Sequence, residues 1–279
     1  LDHRPLGQRF ASRGTLIEVG FVALLAAVAF AVRAYDLSDY PPSMHVDEGT
    51  QGLFALQILR GIVPITSFAS LNTPFHIPIL AILGQVAAIA TFGPNETGLR
   101  ILATVYGASC VPLVYLMARQ GWGRVAAIVA GVAICFNNLH VHFSKLGATN
   151  IETTPWVLIV LLCLWAAQDA ARRENARPLA PYAIAGLSMG IAQYFYFSAR
   201  LIPILAVMVL AVAIIRRKVS VAQLAALAFG ALIAFAPLAA QYTRDPDAFI
   251  GRAQSVTIFN ANIAQHTLGR EPKFPDDIV

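Results

Sequence analysis

The chain alternates long apolar stretches with short polar ones. Apolar runs cover, approximately, 15–33, 74–92, 99–118, 125–140, 153–170, 182–197, 201–215 and 221–241. Most of them approach the roughly 20 residues that an α-helix needs to cross the hydrocarbon core of a bilayer. Runs of that length with few charges seldom occur in water-soluble domains, so the pattern predicts an all-α, polytopic membrane protein. Composition agrees: 57% of the 279 residues are hydrophobic, 13% are charged, and the mean hydropathy is +0.65. A soluble domain carries about 25% charged residues.

The basic clusters decide how many runs cross. Arg9 and Arg13 precede the first run, and Arg119 and Arg124 follow the run 99–118. Arg172, Arg173 and Arg177 follow 153–170, and Arg216, Arg217 and Lys218 follow 201–215. If 74–92 lies in the interface, all four clusters share the cytoplasmic side, as the positive-inside bias prefers. That run is Ala-rich and carries His76, Pro78 and Gln85. The expectation is therefore about seven transmembrane helices, N-terminus inside, with two interfacial helices in a first outer loop, 35–98. A short loop near 141–152, the 194–200 turn and the tail 242–279 share the outer face. Residues 1–241 form the transmembrane module, and 242–279 form a tail leading to a further C-terminal part, the chain reading as a piece of a longer protein. The 15–32 stretch reads as an uncleaved first span, since no small-residue cleavage site leads into a soluble sequence.

The net charge of +5 and the pI near 9.3 would suit a nucleic-acid partner. The basic residues instead sit in topology-type clusters without a basic, aromatic-interleaved stripe, so no nucleic-acid partner is expected. Cys110, Cys135 and Cys163 lie inside apolar runs without CxxC spacing and read as packing residues. No phosphate-binding loop, serine-hydrolase elbow, zinc-protease motif or dinucleotide fingerprint stands at a suitable place.

Candidate chemistry gathers on the outer face. Leu53, Leu56 and Leu59 recur at helical spacing beside Phe54 and Ile58, with Gly61 and Pro64 as stop signals. They predict an amphipathic surface helix that opens near Asp47. A carboxylate in the first turn is favoured by the helix dipole, which suits Asp47 to act as an ionised acceptor or base. Asp47 and Glu48 also have a plainer reading as capping residues. Glu152 stands where a later span begins. His140, His142 and Lys145 occupy the second outer loop, and the two histidines would share a metal only on an extended segment. Arg200 follows the aromatic turn Tyr194-Phe195-Tyr196-Phe197 and reads as a head-group anchor or as the partner of an anionic ligand. Arg252 on the tail is a second candidate of that kind, and Arg100 reads chiefly as an interfacial anchor.

This arrangement resembles the GT-C glycosyltransferases, and most of all the group that contains protein O-mannosyltransferases and lipid A aminoarabinose transferases. The residues that carry the resemblance are 45–61, 74–93, Gly98-Leu99-Arg100, 119–124, Ser144-Lys145 and Glu152, with 197–203 and 245–259 in support. It implies a polyprenyl-phosphate-linked sugar donor, membrane lipid around it, an unknown acceptor (protein, lipid or glycan), and inverting chemistry on the outer face of a bacterial plasma membrane. Asp47 matches the catalytic carboxylate and Glu48 its acidic neighbour. Glu152 falls where a second-loop Asp is common. Lys145 stands where Arg is frequent, which keeps the charge but loses the bidentate fork. His45, His76, Lys145, Tyr196, Arg200 and Arg252 make up the expected substrate-binding set. Glu48 and Glu152 would orient the acceptor or hold a divalent cation, whose involvement the sequence leaves open. Two other classes compete: a secondary transporter, and a non-catalytic lipid-binding scaffold of the same fold. Ionisable groups at the interface rather than mid-bilayer, and the lack of an inverted repeat, weigh against a transporter.

Overall fold

The structure is a computed structural model that describes residues 13–65, 79–173, 177–215, 219–246 and 249. The described residues form ten α-helices: α1 (Arg13–Ala34), α2 (Val46–Leu59), α3 (Ile79–Phe92), α4 (Glu96–Trp122), α5 (Arg124–Phe136), α6 (Asn138–Phe143), α7 (Thr154–Arg173), α8 (Ala180–Ala192), α9 (Leu201–Ile215) and α10 (Val221–Arg244). Two 3₁₀ turns, Thr149–Ile151 and Phe197–Arg200, lead into α7 and α9.

Five helical stretches are long and apolar enough to cross a membrane: α1, α4, α7 with its preceding turn, α9 with its preceding turn, and α10. The 13-residue α5 and α8 are shorter, about 20 Å at 1.5 Å per residue. Their apolar runs extend past the helix ends, 125–140 into α6 and 182–197 into the turn before α9. The architecture is thus all-α and polytopic. Helix α3, in the run expected to lie in the interface, has 14 residues. It does not lie free on a surface: Ile79 and Ile82 are fully buried with Leu238 of α10 and Tyr194.

Local chemistry explains the joints. Gly123, at φ 89°, turns α4 back onto α5, a conformation that costs glycine little. Asn95 caps α4 by accepting from the Gly98 N–H at 2.9 Å. Ser220 and Gln223 form a capping box at the start of α10. Gln223 Nε2 also donates to Pro178 O, joining that end of α10 to the entry of α8.

Core packing is intimate where side chains are small. On α8, a Cβ added at Gly186 would lie 2.0 Å from Leu227 O, and one at Gly190 would lie 2.6 Å from Ala234 Cβ. On α10, a Cβ at Gly230 would meet Ala183 O at 2.4 Å. Glycines four apart on one face let two backbones touch, which is how helices associate in a medium that offers no hydrophobic drive. The α8–α10 pair is joined by α7 and α9 in one core, around Leu164, Tyr182, Ile202 and Leu210. A second core of Leu25, Ala29, Val111, Tyr115, Ala127 and Cys135 unites α1, α4 and α5. Cys110, Cys135 and Cys163 are free thiols, the first two buried.

Candidate active site

Helix α2 opens where expected and ends at Leu59, just before Gly61 at φ 70°. Its faces are disposed differently from those of a helix in a soluble domain. The buried residues are Glu48, Gln51, Gly52 and Ala55, while Leu53 and Leu59 are exposed. In a bilayer this is the sensible orientation, with the leucines toward lipid and the polar face toward a protein interior that can satisfy it.

That interior is a polar network. Glu48 has no exposed surface, and Arg100 Nε donates to its Oε1 at 2.7 Å. Oε1 also accepts from the Gly147 N–H at 3.1 Å, and Oε2 accepts from the His45 N–H at 3.2 Å. Arg100 in turn donates through Nη1 to Leu37 O. One ion pair thereby fastens four pieces of chain: the end of the 35–45 loop, the start of α2, the first turns of α4 and the 144–149 segment. Two further buried polar contacts run parallel to it. Gln85 donates to Gly147 O, and Gln51 donates to Thr149 Oγ1 at 3.4 Å.

Asp47 lies next to Glu48 in sequence but on the open side, with its side chain 60% exposed. The ring of His45 caps the helix, its Nδ1 accepting from the Asp47 N–H at 3.2 Å, which leaves the neutral ring's proton on Nε2. His45 thereby shapes the turn that presents Asp47.

The second loop is held one residue at a time. Arg33, fully buried at the end of α1, spends its donors on Ser144 Oγ, Ala29 O, Cys135 O, Ile134 O and His140 Nδ1. The two carbonyls from α5 are those that its C-terminus leaves unpaired, so the guanidinium caps that helix. Thr104 donates to Ser144 O, and Lys145 Nζ donates to Tyr35 O beneath the Tyr40 ring, whose centroid is 5.3 Å away. Burial holds the Lys145 ammonium below the ordinary lysine range. His140 is pushed down to about 4 by burial and then by the adjacent Arg33 charge.

Glu152 is 1% exposed, with its Oε2 unpartnered among the described residues. Half-buried Tyr196 starts the 3₁₀ turn that carries Arg200. The Arg200 guanidinium lies near two aromatic rings, 4.8 Å from the Phe197 centroid and 4.3 Å from that of Phe249. It heads a cavity of about 430 Å³ between α8, α9 and α10, lined largely by apolar groups including Met189, Pro203, Leu232 and Phe235. Arg200 Nη2 is buried there without a partner among the described residues. His76 and Arg252 lie outside the described residues.

The structure brings Glu48, Lys145 and the approach to Glu152 together through one segment, 144–152. It does not offer Glu48 to a cation. Its oxygens are taken by Arg100 and two backbone N–H groups, and no group of three or more His, Cys, Asp or Glu fit to hold a metal occurs among the described residues. The residues therefore do not fit a cation shared between Glu48 and Glu152.

The family model for dolichyl-phosphate-mannose-protein mannosyltransferases matches residues 76–240, more than half of the chain. The chain belongs to this family. The match includes Lys145, Glu152, Tyr196 and Arg200 and begins after Asp47 and Glu48. No curated protein matches the chain. Among solved structures, it is similar to ArnT from Cupriavidus metallidurans bound to undecaprenyl phosphate, at 18% identity and a TM-score of 0.61. That alignment covers 84% of this chain and 44% of that one. The apo form of ArnT matches with a TM-score of 0.62 at 18% identity, covering 85% and 44%. The likeness shows a shared fold, and this chain spans less than half the length of those structures.

Sequence reasoning assigned Arg100 to the interface and passed over Arg33, Gln51 and the joining role of Gln85. Arg33 closes the first apolar run, a place where an arginine either snorkels to the interface or finds acceptors inside the protein, and the local sequence is the same for both. Nothing local in the sequence pairs Arg100 with Glu48.

Proposed function

We propose that the protein is a membrane glycosyltransferase that moves a sugar from a polyprenyl-phosphate donor to an acceptor hydroxyl. The reaction takes place at the end of the bundle that carries Asp47, the outer face of the plasma membrane. Residues 1–241 form the transmembrane catalytic module, and 242–279 form the outer tail. The observation that carries this reading is the pairing of two adjacent carboxylates with opposite fates. Glu48 is locked to Arg100 in the interior, and Asp47 is held open to solvent on the same helical turn.

Asp47 accepts the proton of the acceptor hydroxyl as that oxygen attacks the anomeric carbon, a step worth about 10²–10⁴-fold. The bond between the anomeric carbon and the phosphate oxygen breaks, and polyprenyl phosphate leaves with the electron pair. A single displacement inverts the anomeric centre. Arg200 neutralises the leaving phosphate, while the apolar cavity beneath it takes the first units of the lipid chain. Lys145 is already engaged with Tyr35, so Arg200 is the cation on which the reading rests. Glu48 passes from the catalytic set to a positioning role. The shared fold of an undecaprenyl-phosphate-bound ArnT supports a donor of this chemistry.

The test uses the full-length protein in liposomes with radiolabelled polyprenyl-phosphate sugars and an acceptor extract, following release of polyprenyl phosphate. Release by the parent and its loss in Asp47→Asn is the expected result. Equal release from both removes Asp47 from the mechanism. No release with any donor favours the transporter or scaffold class.

A further inference from the structure

The entry to α7 holds two buried polar atoms that nothing in the proposed mechanism uses. Glu152 Oε2 and Trp156 Nε1 each lack a partner among the described residues. Glu152 closes the 3₁₀ turn that leads into α7, and Trp156 stands in the first turn of that helix. One atom accepts a hydrogen bond and the other donates one. Leaving either group buried and unpaired costs about 1–3 kcal/mol, so such pairs persist where a ligand completes them.

The surroundings are aromatic and continuous. Trp156 stacks on Phe195, with centroids 5.6 Å apart and planes 27° from parallel. Tyr106 meets the same Phe195 edge-on at 5.6 Å. Thr153 Oγ1 is 3.1 Å from Ser198 Oγ, which fixes the start of α7 against the turn carrying Arg200. An orphan acceptor, an orphan donor and a phenol set among aromatic faces form the pattern that reads a polyol: hydroxyls supply both missing partners, and C–H faces pack on the rings.

We infer that Glu152, Trp156 and Tyr106 form the subsite that reads the hydroxyls of the donor sugar, linked through the 195–200 segment to the phosphate cation Arg200. This rests on the transferase reading above. Glu152 here accepts from a sugar hydroxyl and Trp156 donates to one, with Tyr106 of α4 packed on the same Phe195 ring as Trp156. The lipid phosphate and its sugar would then straddle one short, rigid turn.

The experiment labels the full-length protein in nanodiscs with 5-fluorotryptophan and assigns the Trp156 fluorine resonance by its absence in Trp156→Phe. Two probes are titrated: decaprenyl phosphate, and decaprenyl-phosphate mannose. The expected result is a shift of the Trp156 resonance with the sugar-linked lipid and none with the bare phosphate. An equal shift with both, or none with either, overturns the subsite. In turnover, Trp156→Phe keeps the ring and loses the N–H, and should raise the donor KM about tenfold with little change in kcat. A fall in kcat with the donor KM unchanged would mark a structural role and overturn the assignment. Should Trp156→Phe fail to fold, Tyr106→Phe carries the kinetic test, and the resonance is assigned by elimination with conservative changes at the other tryptophans. The two readings fail separately. Asp47-dependent turnover with an unmoved Trp156 resonance sinks the subsite alone. A sugar-specific shift without turnover of any donor sinks the transferase reading and leaves a sugar-binding site.

Discussion

Glu48 and Arg100, 52 positions apart in the chain, meet in the interior through a 2.7 Å bond from Nε to Oε1, with side chains 0% and 1% exposed. Such a pair contributes little net stability as long as both partners are present, because each charge has lost its hydration. Its consequence is geometric. The carboxylate also accepts from Gly147 and His45, so one group sets α2, α4 and the second loop in register. Asp47 inherits its position from that arrangement.

Removing one partner strands the other, which costs about 3–5 kcal/mol. Glu48→Gln and Arg100→Met should each lower the midpoint of thermal unfolding in detergent sharply. The double variant should lose less than the sum of the two, since it leaves no unpaired charge. Additive losses would mean that the pair is not a unit. Neither single variant should behave like Asp47→Asn, which is expected to lose turnover with its unfolding midpoint preserved.

The α8–α10 contact invites a sharper packing test. Gly186→Ala adds a methyl 2.0 Å from a backbone carbonyl, which no rotamer can relieve. The two helices must part, at about 1–3 kcal/mol. Gly20 on α1 has nothing within 4 Å of the same added carbon, so Gly20→Ala should be neutral or slightly stabilising. Urea or thermal unfolding of both variants in one detergent decides the comparison.

His140 gives a pH prediction with a definite sign. Its folded pKa lies near 4, below the ordinary 6.5, because burial and the Arg33 guanidinium disfavour the cation. Between those values the unfolded chain binds more protons than the folded one, so stability falls as pH drops below 6.5 and the loss is complete below about 4. His140→Gln should flatten that part of the stability profile. An unchanged profile between pH 6.5 and 4 in the variant would show that another group governs acid sensitivity.

The start and end of α2 were legible because helix ends have local signatures, acidic residues in the first turn and a glycine after the last. The apolar runs were legible because the bilayer sets their length. The direction of the α2 faces was not legible: hydrophobic spacing finds a stripe on a helix without telling whether it meets protein or lipid. Glu48 and Gln85 were read singly, and Arg33 and Gln51 not at all, for the same reason. Each finds its partner across tens of residues of chain, and a polar residue in an apolar run looks alike whether it caps a helix, as Arg33 does, or faces a substrate. Arg200 was legible as a cation beside aromatics, but the cavity below it comes from three helices whose packing no local pattern carries.

Arg200 yields the prediction closest to function. Its guanidinium lies against the rings of Phe197 and Phe249, and its Nη2 has no hydrogen-bond partner among the described residues. Lysine would keep the charge but lose the stacked plane and the fork that suits a phosphate. Arg200→Lys should raise the donor KM about tenfold, and Arg200→Gln by roughly a further tenfold, each step corresponding to about 1.4 kcal/mol. If Arg200 holds the phosphate equally in the ground and transition states, kcat stays near the parent value. If it acts mainly on the charge that develops as the phosphate leaves, kcat falls instead while KM holds. Measuring both constants for the two variants, with the same donor in the same liposomes, separates a binding cation from a catalytic one. An unchanged kcat/KM in Arg200→Gln would remove Arg200 from the donor site and send the search for the phosphate's partner to Lys145 and Arg252.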